Sequence, residues 1–215
     1  MSDNSIIKMM TGAGALILNT HIVLTSGRHS DNYFNKDALY LHTKIISGLC
    51  DLMSKPYDAD KIDVVAGPTI GGVILSQWVA HHLNSRRKSG EIISVYAEEE
   101  VAGDEKKRIF KRGYDACIPG KNVLVVEDVL TTGGSARRVI ESVKALDGNV
   151  VGLTVLCNRG GIKPEEVCDV SIHAILDVKL DSWTEEECPL CKTNVPINTT
   201  VGKGRAFLQK KGIAV

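Results

Sequence analysis

The sequence predicts an α/β fold: a parallel sheet flanked by helices, with a small hood subdomain built from N- and C-terminal segments. Between residues 62 and 157, short apolar runs rich in β-branched residues alternate with longer segments of helical periodicity. The alternation is absent before residue 55 and after residue 165. The chain has 215 residues, of which 43% are apolar, enough for one sizeable core. We therefore expect a single domain, with a core at about 56–165 and a hood from about 1–55 and 166–215 over one edge of the sheet.

The first half of the predicted core contains two strands and one helix. Residues 62–66 form a short apolar run typical of a buried strand, and a glycine-rich turn follows at 67–72. Helical periodicity over 73–83 places apolar side chains on one face. A second apolar run at 92–97 predicts the next strand.

A polar segment at 98–113 follows the second strand. It carries acids and then a basic cluster that includes Lys106, Lys107 and Arg108. Sixteen residues without clear periodicity inside a compact domain are typical of a functional lid. We expect a long, mobile loop or a hairpin.

The second half of the core repeats the strand and helix alternation. Residues 122–128 form a strongly apolar strand that ends in two acids, and a helix begins at about Ser135. A further strand is predicted at 150–157. The site residues of greatest interest lie between the first of these strands and the helix.

Composition excludes several classes of function. Lysine plus arginine equals aspartate plus glutamate at 26 each, so no net charge attracts the chain to nucleic acid or to an anionic membrane. There is no signal-peptide pattern and no run of about 18 apolar residues. We expect a cytoplasmic protein that binds neither nucleic acid nor membrane.

The six cysteines are expected to be reduced thiols, because the chain is too long to need disulfides and carries no secretory signal. Cys188 and Cys191 have the spacing of half a zinc site. No second pair and no histidine at ligand spacing completes it along the sequence. We therefore expect no metal at this cysteine pair.

The segment 125–135 is predicted to bind a phosphate, because it connects a buried strand to a helix where α/β sheets bind ligands. Thr131, Thr132 and Ser135 offer hydroxyl donors. Gly133 and Gly134 permit positive φ, so that backbone N–H groups can close around an anion. The positive end of the helix dipole favours the same anion.

Glu127 and Asp128 precede this loop and would repel a phosphate if they faced it. Carboxylates accept hydrogen bonds from hydroxyl groups, so a sugar diol fits them better. A ligand with a 5′-phosphate and free 2′ and 3′ hydroxyls satisfies both features. We expect these acids to be exposed at a strand end. The alternative is that they only cap the helix and that the glycines only form a turn.

The segment resembles the phosphoribosyl pyrophosphate motif of type I phosphoribosyltransferases. In that family the two acids hold the ribose hydroxyls and the following loop holds the 5′-phosphate. The resemblance implies the type I phosphoribosyltransferase core and assigns a run of consecutive residues to the donor: Glu127, Asp128, Val129, Leu130, Thr131, Thr132, Gly133, Gly134 and Ser135.

Further segments are similar to orotate phosphoribosyltransferases over nearly the whole chain. Residues 24–35 resemble the segment with which the family's hood covers orotate, and its aromatic pair corresponds to Tyr33 and Phe34. The alternative is that both rings belong to the core. Residues 66–72 resemble the pyrophosphate loop, in which Thr69, Ile70 and Gly71 would present backbone N–H groups.

The resemblance also implies an orotate site. Residues 156–161 match the segment where the family places an arginine that pairs with the orotate carboxylate, and this assigns Arg159 together with Thr131. A guanidinium can meet a carboxylate with two hydrogen bonds. The alternative is that Arg159 pairs with a neighbouring acid and supports its loop. Residues 187–191 with 195–197 resemble a C-terminal segment of one bacterial and archaeal subgroup.

The chain departs from the family's better-known members at three positions. Many of them carry lysine where Thr25 and Gly71 stand, and a basic residue where Glu99 stands. The first two changes fit the subgroup. A carboxylate next to a departing pyrophosphate opposes its departure, and Glu99 is expected to have this effect.

The reaction implied by the resemblance displaces pyrophosphate from the ribose with inversion and needs no general base. Mg²⁺ is the implied cofactor, with few protein ligands and no tight protein cage. Lys106, Lys107 and Arg108 are the predicted catalytic cations, closing over pyrophosphate as a lid. The alternative for them is a solvated basic surface. In the family this loop reaches the neighbouring subunit's site, which implies a homodimer.

Two other functions remain open at this point. The acceptor could be a purine or another pyrimidine base, although a neutral base has no need of Arg159. The chain could also be a non-catalytic regulator that senses phosphoribosyl pyrophosphate, although it shows no added nucleic-acid-binding module.

Overall fold

The computed structural model describes residues 3–103, 105–178 and 181–213. The chain divides into two compact units, which we describe separately. The core unit comprises residues 42–178, and the smaller unit comprises 1–41 together with 179–215.

The described helices and strands are as follows. The helices are α1 (Asp3–Gly12), α2 (Lys36–Tyr40), α3 (Thr43–Ser54), α4 (Gly71–Asn84), α5 (Gly134–Ala145), α6 (Pro189–Lys192) and α7 (Gly204–Lys210). The strands are β1 (Leu16–Ile17), β2 (Ile22–Val23), β3 (His29–Ser30), β4 (Tyr33–Phe34), β5 (Val64–Pro68), β6 (Ile93–Ala102), β7 (Glu105–Ile109), β8 (Asn122–Leu130), β9 (Asn149–Asn158) and β10 (Ile172–Asp177).

The core unit is built on a six-stranded sheet with the order β10-β9-β8-β5-β6-β7, as assembled from the described residues. Every neighbouring pair is parallel except β6 with β7. Strand β8 lies in the interior of the sheet, and all of its residues from Val123 to Asp128 are buried. The predicted parallel sheet flanked by helices is confirmed.

Helices cover both faces of the sheet because successive strand side chains point to opposite sides. On one face, Val123 and Val125 pack with Val139 and Val143 of α5. On the other face, the hydroxyl of Thr154 donates to the carbonyl of Met53 in α3 at 3.1 Å. The continuous apolar runs that we interpreted as strands therefore correspond to strands of a sheet that is buried on both faces.

The polar segment 98–113 contributes an antiparallel hairpin to the edge of the sheet. Strands β6 and β7 pair from Glu98 opposite Ile109 to Ala102 opposite Glu105. Strand β7 also packs against α5. Of the two forms expected for this segment, a loop or a hairpin, the hairpin is the one observed.

Two segments that we expected in the hood belong to the core unit instead. Helix α3 packs against α4, and strand β10 pairs in parallel with β9. The alternation of strand and helix therefore extends beyond the limits of 55 and 165 that we drew from the sequence. Within the core unit, no described strand precedes the first of these segments, and the second lies at the edge of the sheet.

The smaller unit joins N- and C-terminal segments, as expected for the hood. Strand β1 pairs with β4 and β2 pairs with β3, both antiparallel. Single bridges connect His21 with Ile197 and His29 with Trp183. Among the described residues, none of the helices combines the length and apolar character that a membrane span requires.

Candidate functional site

The candidate site lies in the core unit, at the carboxyl ends of three adjacent parallel strands. Strand β8 has β5 on one side and β9 on the other, and parallel strands end at the same edge of a sheet. The loops that follow the three strands are 69–70, 131–133 and 159–162. The sequence-predicted residues of the core unit lie in these loops, in the end of β8, in the first residues of α4 and α5, and in the hairpin of β6 and β7.

The loop after β8 has the geometry of an anion-binding turn. Thr131 and Thr132 are exposed, and Gly133 adopts a left-handed conformation with φ 70° immediately before α5. The backbone N–H of Arg137 makes an early helical bond, donating to the carbonyl of Gly133 at 2.9 Å. The N–H groups that precede it in α5 have no acceptor within the helix. They are available to an anion at the helix N-terminus.

Only the first of the two loop glycines has the positive φ that we expected of both. Gly133 is in the left-handed region, whereas Gly134 is the first helical residue of α5. A Cβ atom at Gly133 would lie 3.1 Å from a methyl carbon of Ile162 and 3.2 Å from one of Val167. The expectation for Gly134 is wrong because the helix begins one residue earlier than the sequence suggested.

Glu127 and Asp128 are buried, with 6% and 3% of their surfaces exposed. Our expectation of exposed acids is wrong, because β8 continues past them and stays paired with β9 as far as Leu130. One carboxylate oxygen of Glu127 accepts from the N–H of Asp128 at 2.9 Å, and one of Asp128 accepts from the N–H of Val129 at 2.7 Å. The residue at the N-cap of α5 is Gly133, with no side-chain cap. The acids are therefore not caps of that helix.

The loop after β5 brings α4 back against the strand at very short range. A Cβ atom at Gly67 would lie 2.7 Å from the Cα of Gly72, so glycine is required at this crossing. The Thr69–Ile70 peptide is cis, and the Ile70 side chain is 82% exposed. Gly71 begins α4. The backbone assigned to pyrophosphate thus stands at a helix N-terminus.

The three predicted catalytic cations have different environments. The guanidinium of Arg108 donates from Nη1 to the hydroxyl and the carbonyl of Thr69, at 3.0 and 3.3 Å. Arg108 is 8% exposed, and its Nε has no hydrogen-bond partner among the described residues. The side chains of Lys106 and Lys107 are 57% and 58% exposed. Arg108 is therefore fixed at the loop after β5, which the resemblance assigns to pyrophosphate, whereas both lysines extend into solvent.

Glu99 pairs with the hairpin cations. Its carboxylate lies 3.6 Å from the guanidinium of Arg108 and 3.9 Å from the ammonium of Lys106. Glu99 and Arg108 are also directly opposite each other in the β6 and β7 register. Two cations thus offset the negative charge that we expected to oppose the leaving group.

The loop after β9 holds Arg159 next to the phosphate loop. The N–H groups of Arg159 and Gly160 both donate to the carbonyl of Leu130, each at 3.0 Å. A Cβ atom at Gly160 would collide with the carbonyl oxygen of Thr131. In the described part of the chain, Arg159 has no carboxylate within ion-pair distance. The alternative in which Arg159 pairs with a neighbouring acid has no support in these contacts.

No cysteine at this edge acts as a nucleophile. Cys157 directly precedes the Arg159 loop, but burial raises the pKa of its thiol to about 12. The thiol is protonated at neutral pH, and only a thiolate is a good nucleophile. Cys157 is therefore not a candidate nucleophile.

Two residues at this edge were missed from the sequence. Asn158 is buried, and its side-chain amide bonds the backbone of Ile162 in both directions, at 3.0 and 2.9 Å. A polar residue at the end of an apolar strand was the available signal. Arg138 lies with Nη1 3.3 Å from the position of a Cβ atom on Gly134, and its Nε is buried without a partner among the described residues. The position of Arg138 in the helical pattern of α5 does not indicate that its side chain reaches this edge of the sheet.

The two aromatic residues predicted for orotate lie in the smaller unit. In the short pair of β1 and β4, Leu16 is opposite Phe34 and Ile17 is opposite Tyr33. Phe34 is 5% exposed, whereas Tyr33 is half-buried. Consecutive strand residues point to opposite sides, so the two rings have different environments.

The comparisons with known proteins agree with this geometry. A model of the phosphoribosyl transferase domain matches residues 35–186, and the chain belongs to the phosphoribosyltransferase family. Within that family it is similar to orotate phosphoribosyltransferases. The enzyme of that name from Desulforamulus reducens is 36% identical over 91% of this chain and 95% of its own length. The one from Caldicellulosiruptor bescii is 34% identical over 92% of this chain and 96% of its own length. The crystal structure of the Aeropyrum pernix orotate phosphoribosyltransferase superposes with a TM-score of 0.65 at 25% identity, covering 81% of this chain and 94% of that one.

Proposed function

We propose that this protein is an orotate phosphoribosyltransferase. It transfers ribose 5-phosphate from phosphoribosyl pyrophosphate to orotate, giving orotidine 5′-monophosphate and pyrophosphate in de novo UMP biosynthesis. The observation that carries the proposal is the assembly at one sheet edge of an anion-binding turn, two buried carboxylates and a guanidinium without an acidic partner in the described residues.

The donor is bound by the loops after β8 and β5. The 5′-phosphate takes the helix N-terminus at Gly133 and Gly134, because backbone N–H groups and the helix dipole both favour an anion there. Glu127 and Asp128 accept hydrogen bonds from the ribose hydroxyls. The pyrophosphate group faces the backbone of Thr69, Ile70 and Gly71 at the start of α4.

The acceptor is recognised by charge. Arg159 pairs with the orotate carboxylate. Thr131, whose backbone carbonyl lies against Gly160 in the Arg159 loop, is assigned to the same ligand from the family resemblance. Tyr33 and Phe34 are assigned to orotate from the resemblance of residues 24–35. Tyr33 is the better candidate for direct contact because it retains exposed surface.

The reaction is a substitution at C1 of the ribose. The bond from C1 to the pyrophosphate oxygen breaks, and a bond from an orotate ring nitrogen to C1 forms with inversion. Orotate can present that nitrogen already deprotonated, so no side chain has to remove a proton. Positive charge develops on the sugar and negative charge on pyrophosphate, so positioning and electrostatics supply the catalysis.

Arg108 is the cation best placed for the leaving group. It already donates to Thr69 in the loop assigned to pyrophosphate, and its buried Nε has no described partner. Lys106 and Lys107 are proposed to close over the same group from the exposed part of the hairpin.

Mg²⁺ is proposed to accompany the donor, and the residues present fit this arrangement. Mg²⁺ prefers oxygen ligands and keeps several waters, which suits a site with the two carboxylates Glu127 and Asp128. When bound, it neutralises charge on pyrophosphate.

The decisive assay measures pyrophosphate release from phosphoribosyl pyrophosphate and Mg²⁺ with a panel of single bases. We expect release with orotate, and none when orotate or Mg²⁺ is omitted. The Asp128→Asn variant, assayed at low donor concentration, serves as the control with reduced donor binding. Release with a purine would support the alternative acceptor, and donor binding without release with any base would support the regulator.

A homodimer and a cytoplasmic location complete the proposal. The homodimer rests on the family resemblance of the hairpin. The location rests on the sequence, in which we found neither a signal-peptide pattern nor a run of about 18 apolar residues.

A further inference from the structure

Four potential metal ligands converge in the smaller unit, outside the site described above. Ligand atoms of His21, His29, Cys188 and Cys191 all lie within 4.8 Å of one another. The first three residues are at most 1% exposed, and Cys191 is partly buried. The sequence showed no histidine at ligand spacing from the cysteine pair. The fold supplies two, from a segment more than 150 residues earlier in the chain.

Three sulfur-to-nitrogen distances in this cluster are close to those around a tetrahedral ion. Zinc lies about 2.3 Å from thiolate sulfur and about 2.0–2.1 Å from imidazole nitrogen, so a tetrahedral site has sulfur to nitrogen edges of about 3.5 Å. The Sγ atoms of Cys188 and Cys191 lie 3.6 and 3.7 Å from Nε2 of His21. The Sγ of Cys191 lies 3.3 Å from Nδ1 of His29.

Hydrogen bonding alone does not account for the cluster. Nδ1 of His21 lies 2.7 Å from the carbonyl of Val195, so it carries the proton and donates. In the neutral ring, Nε2 of His21 then offers a single lone pair. Three groups approach that lone pair: the two thiols and Nδ1 of His29, at 2.8 Å. A cation resolves this excess, because both imidazole lone pairs and both sulfurs can point at it.

The backbone around the four residues is fixed by hydrogen bonds. His21 forms a parallel bridge with Ile197, and His29 exchanges N–H and carbonyl bonds with Trp183, both at 2.8 Å. Cys188 is the N-cap of α6, and Cys191 lies within that helix. Imidazoles that bind a metal through one ring nitrogen usually donate a hydrogen bond from the other, which orients the ring. The bond from Nδ1 of His21 to the carbonyl of Val195 is of this kind.

We propose that His21, His29, Cys188 and Cys191 form a structural zinc site in the smaller unit. Two sulfur and two nitrogen ligands in tetrahedral arrangement favour zinc, and four protein ligands leave no open position for catalysis. Binding releases the two thiol protons to solvent and leaves two thiolates on the ion. The ion links the hairpin of β2 and β3 to the C-terminal segment that contains α6.

The first test is the metal content of the full-length protein, purified under reducing conditions from zinc-supplemented cells. Elemental analysis is expected to give about one zinc per chain for the wild type. In the Cys191→Ser variant, zinc affinity is expected to fall by about tenfold or more. Cys117→Ser is the matched control, since Cys117 is a partly buried free thiol in the core unit, and it should keep the wild-type content.

The second test does not depend on the folding of a variant. Wild-type protein stripped by a chelator is titrated with Co²⁺, and the expected signature is the intense visible absorption of tetrahedral cobalt with thiolate ligands. Zinc should displace it with one equivalent, and chelation should lower Tm. A wild-type protein without zinc and without this cobalt spectrum would overturn the proposal. The proposal would also be overturned if the purified protein contained iron in place of zinc. A disulfide between Cys188 and Cys191 in the reduced preparation would overturn it as well.

Discussion

At the scale of single residues, the Arg159 loop is held by backbone bonds that leave its guanidinium for a ligand. Both N–H groups that fix the loop donate to the carbonyl of Leu130, and Asn158 closes its other side through Ile162. The side chain of Arg159 contributes to none of these bonds. Its removal should therefore affect binding and not the fold.

The Arg159→Ala variant is expected to bind orotate more weakly while donor affinity stays unchanged. Loss of a charged hydrogen bond costs about 1.5–3 kcal/mol, which corresponds to a tenfold to hundredfold change in affinity. Calorimetry with each substrate measures the effect, and Arg205→Ala, an exposed arginine in α7, is the control. Orotate isotherms that superimpose for Arg159→Ala and wild type would remove Arg159 from base recognition.

Gly133 and Gly134 differ in a way that a pair of alanine variants can test. Gly133→Ala places a side chain in left-handed backbone and against Ile162 and Val167, so we expect a loss of about 1–2 kcal/mol in stability with weaker donor binding. Gly134→Ala lies in helical backbone and should be tolerated in the fold. Equal stability of both variants in denaturant titrations would contradict this assignment.

The proposed role of the two buried acids is tested by a double variant that removes their charge. Glu127→Gln with Asp128→Asn keeps the shape of both side chains but removes the charge offered to the ribose hydroxyls. Affinity for phosphoribosyl pyrophosphate should fall by tenfold or more, consistent with loss of charge-assisted bonds. Unchanged affinity by calorimetry would exclude the acids from diol binding.

The chemistry of these acids could be predicted from the sequence. Their burial could not, because it depends on how far β8 stays paired with β9.

At the scale of elements, the β6 and β7 hairpin carries charges of two kinds. Arg108 is buried at the pyrophosphate loop and paired with Glu99, whereas Lys106 and Lys107 are exposed. From the sequence alone the three cations are equivalent, because a charge run contains no information on which side chain faces inward. Which cation faces inward is determined by the pairing of β6 with β7, which places Arg108 opposite Glu99.

Neutralising Lys106, Lys107 and Arg108 together should lower kcat more than it weakens donor binding. These cations are proposed to meet pyrophosphate as it departs, and one lost electrostatic partner can cost a factor of about 100 in rate. Steady-state kinetics and donor calorimetry separate the two effects. The control replaces Lys111 and Arg112, which pair with Glu100 and Glu98 on the same hairpin. Wild-type rates in the triple variant would exclude these three cations from catalysis.

Strands and helices of the core were predictable to different degrees. Strands β5, β8 and β9 were found within a few residues because buried parallel strands are continuous apolar runs. Strand β10 and helix α3 were assigned to the hood, since neither belongs to a complete strand and helix repeat in the sequence. Their place in the core follows from packing against β9 and α4.

At the scale of the whole molecule, the sequence predicted a hood from both chain ends but not what holds it. Cys188 and Cys191 have the spacing of half a zinc site, but we expected no metal there, because the two histidines that approach them lie far away in the chain. Spacing rules detect ligands that are close in sequence. They do not detect a pair brought in by the bridges at His21 and His29.

The proposed homodimer predicts that two inactive variants can restore activity to each other. If the hairpin of one subunit serves the site of its partner, mixing Asp128→Asn with the triple hairpin variant should recover activity after subunit exchange. Sedimentation should show a dimer for each protein. Mixtures that stay inactive despite exchange would mean that each hairpin serves the site of its own chain, as the contact of Arg108 with Thr69 allows.

The central claim is that the acceptor is orotate, and a competition experiment tests it most directly. Orotate, uracil, adenine, hypoxanthine and guanine are supplied together at equal concentration with limiting phosphoribosyl pyrophosphate and Mg²⁺, and the nucleotide products are identified by mass spectrometry. We predict orotidine 5′-monophosphate as the dominant product. A purine nucleotide or uridine 5′-monophosphate in its place would contradict the assignment.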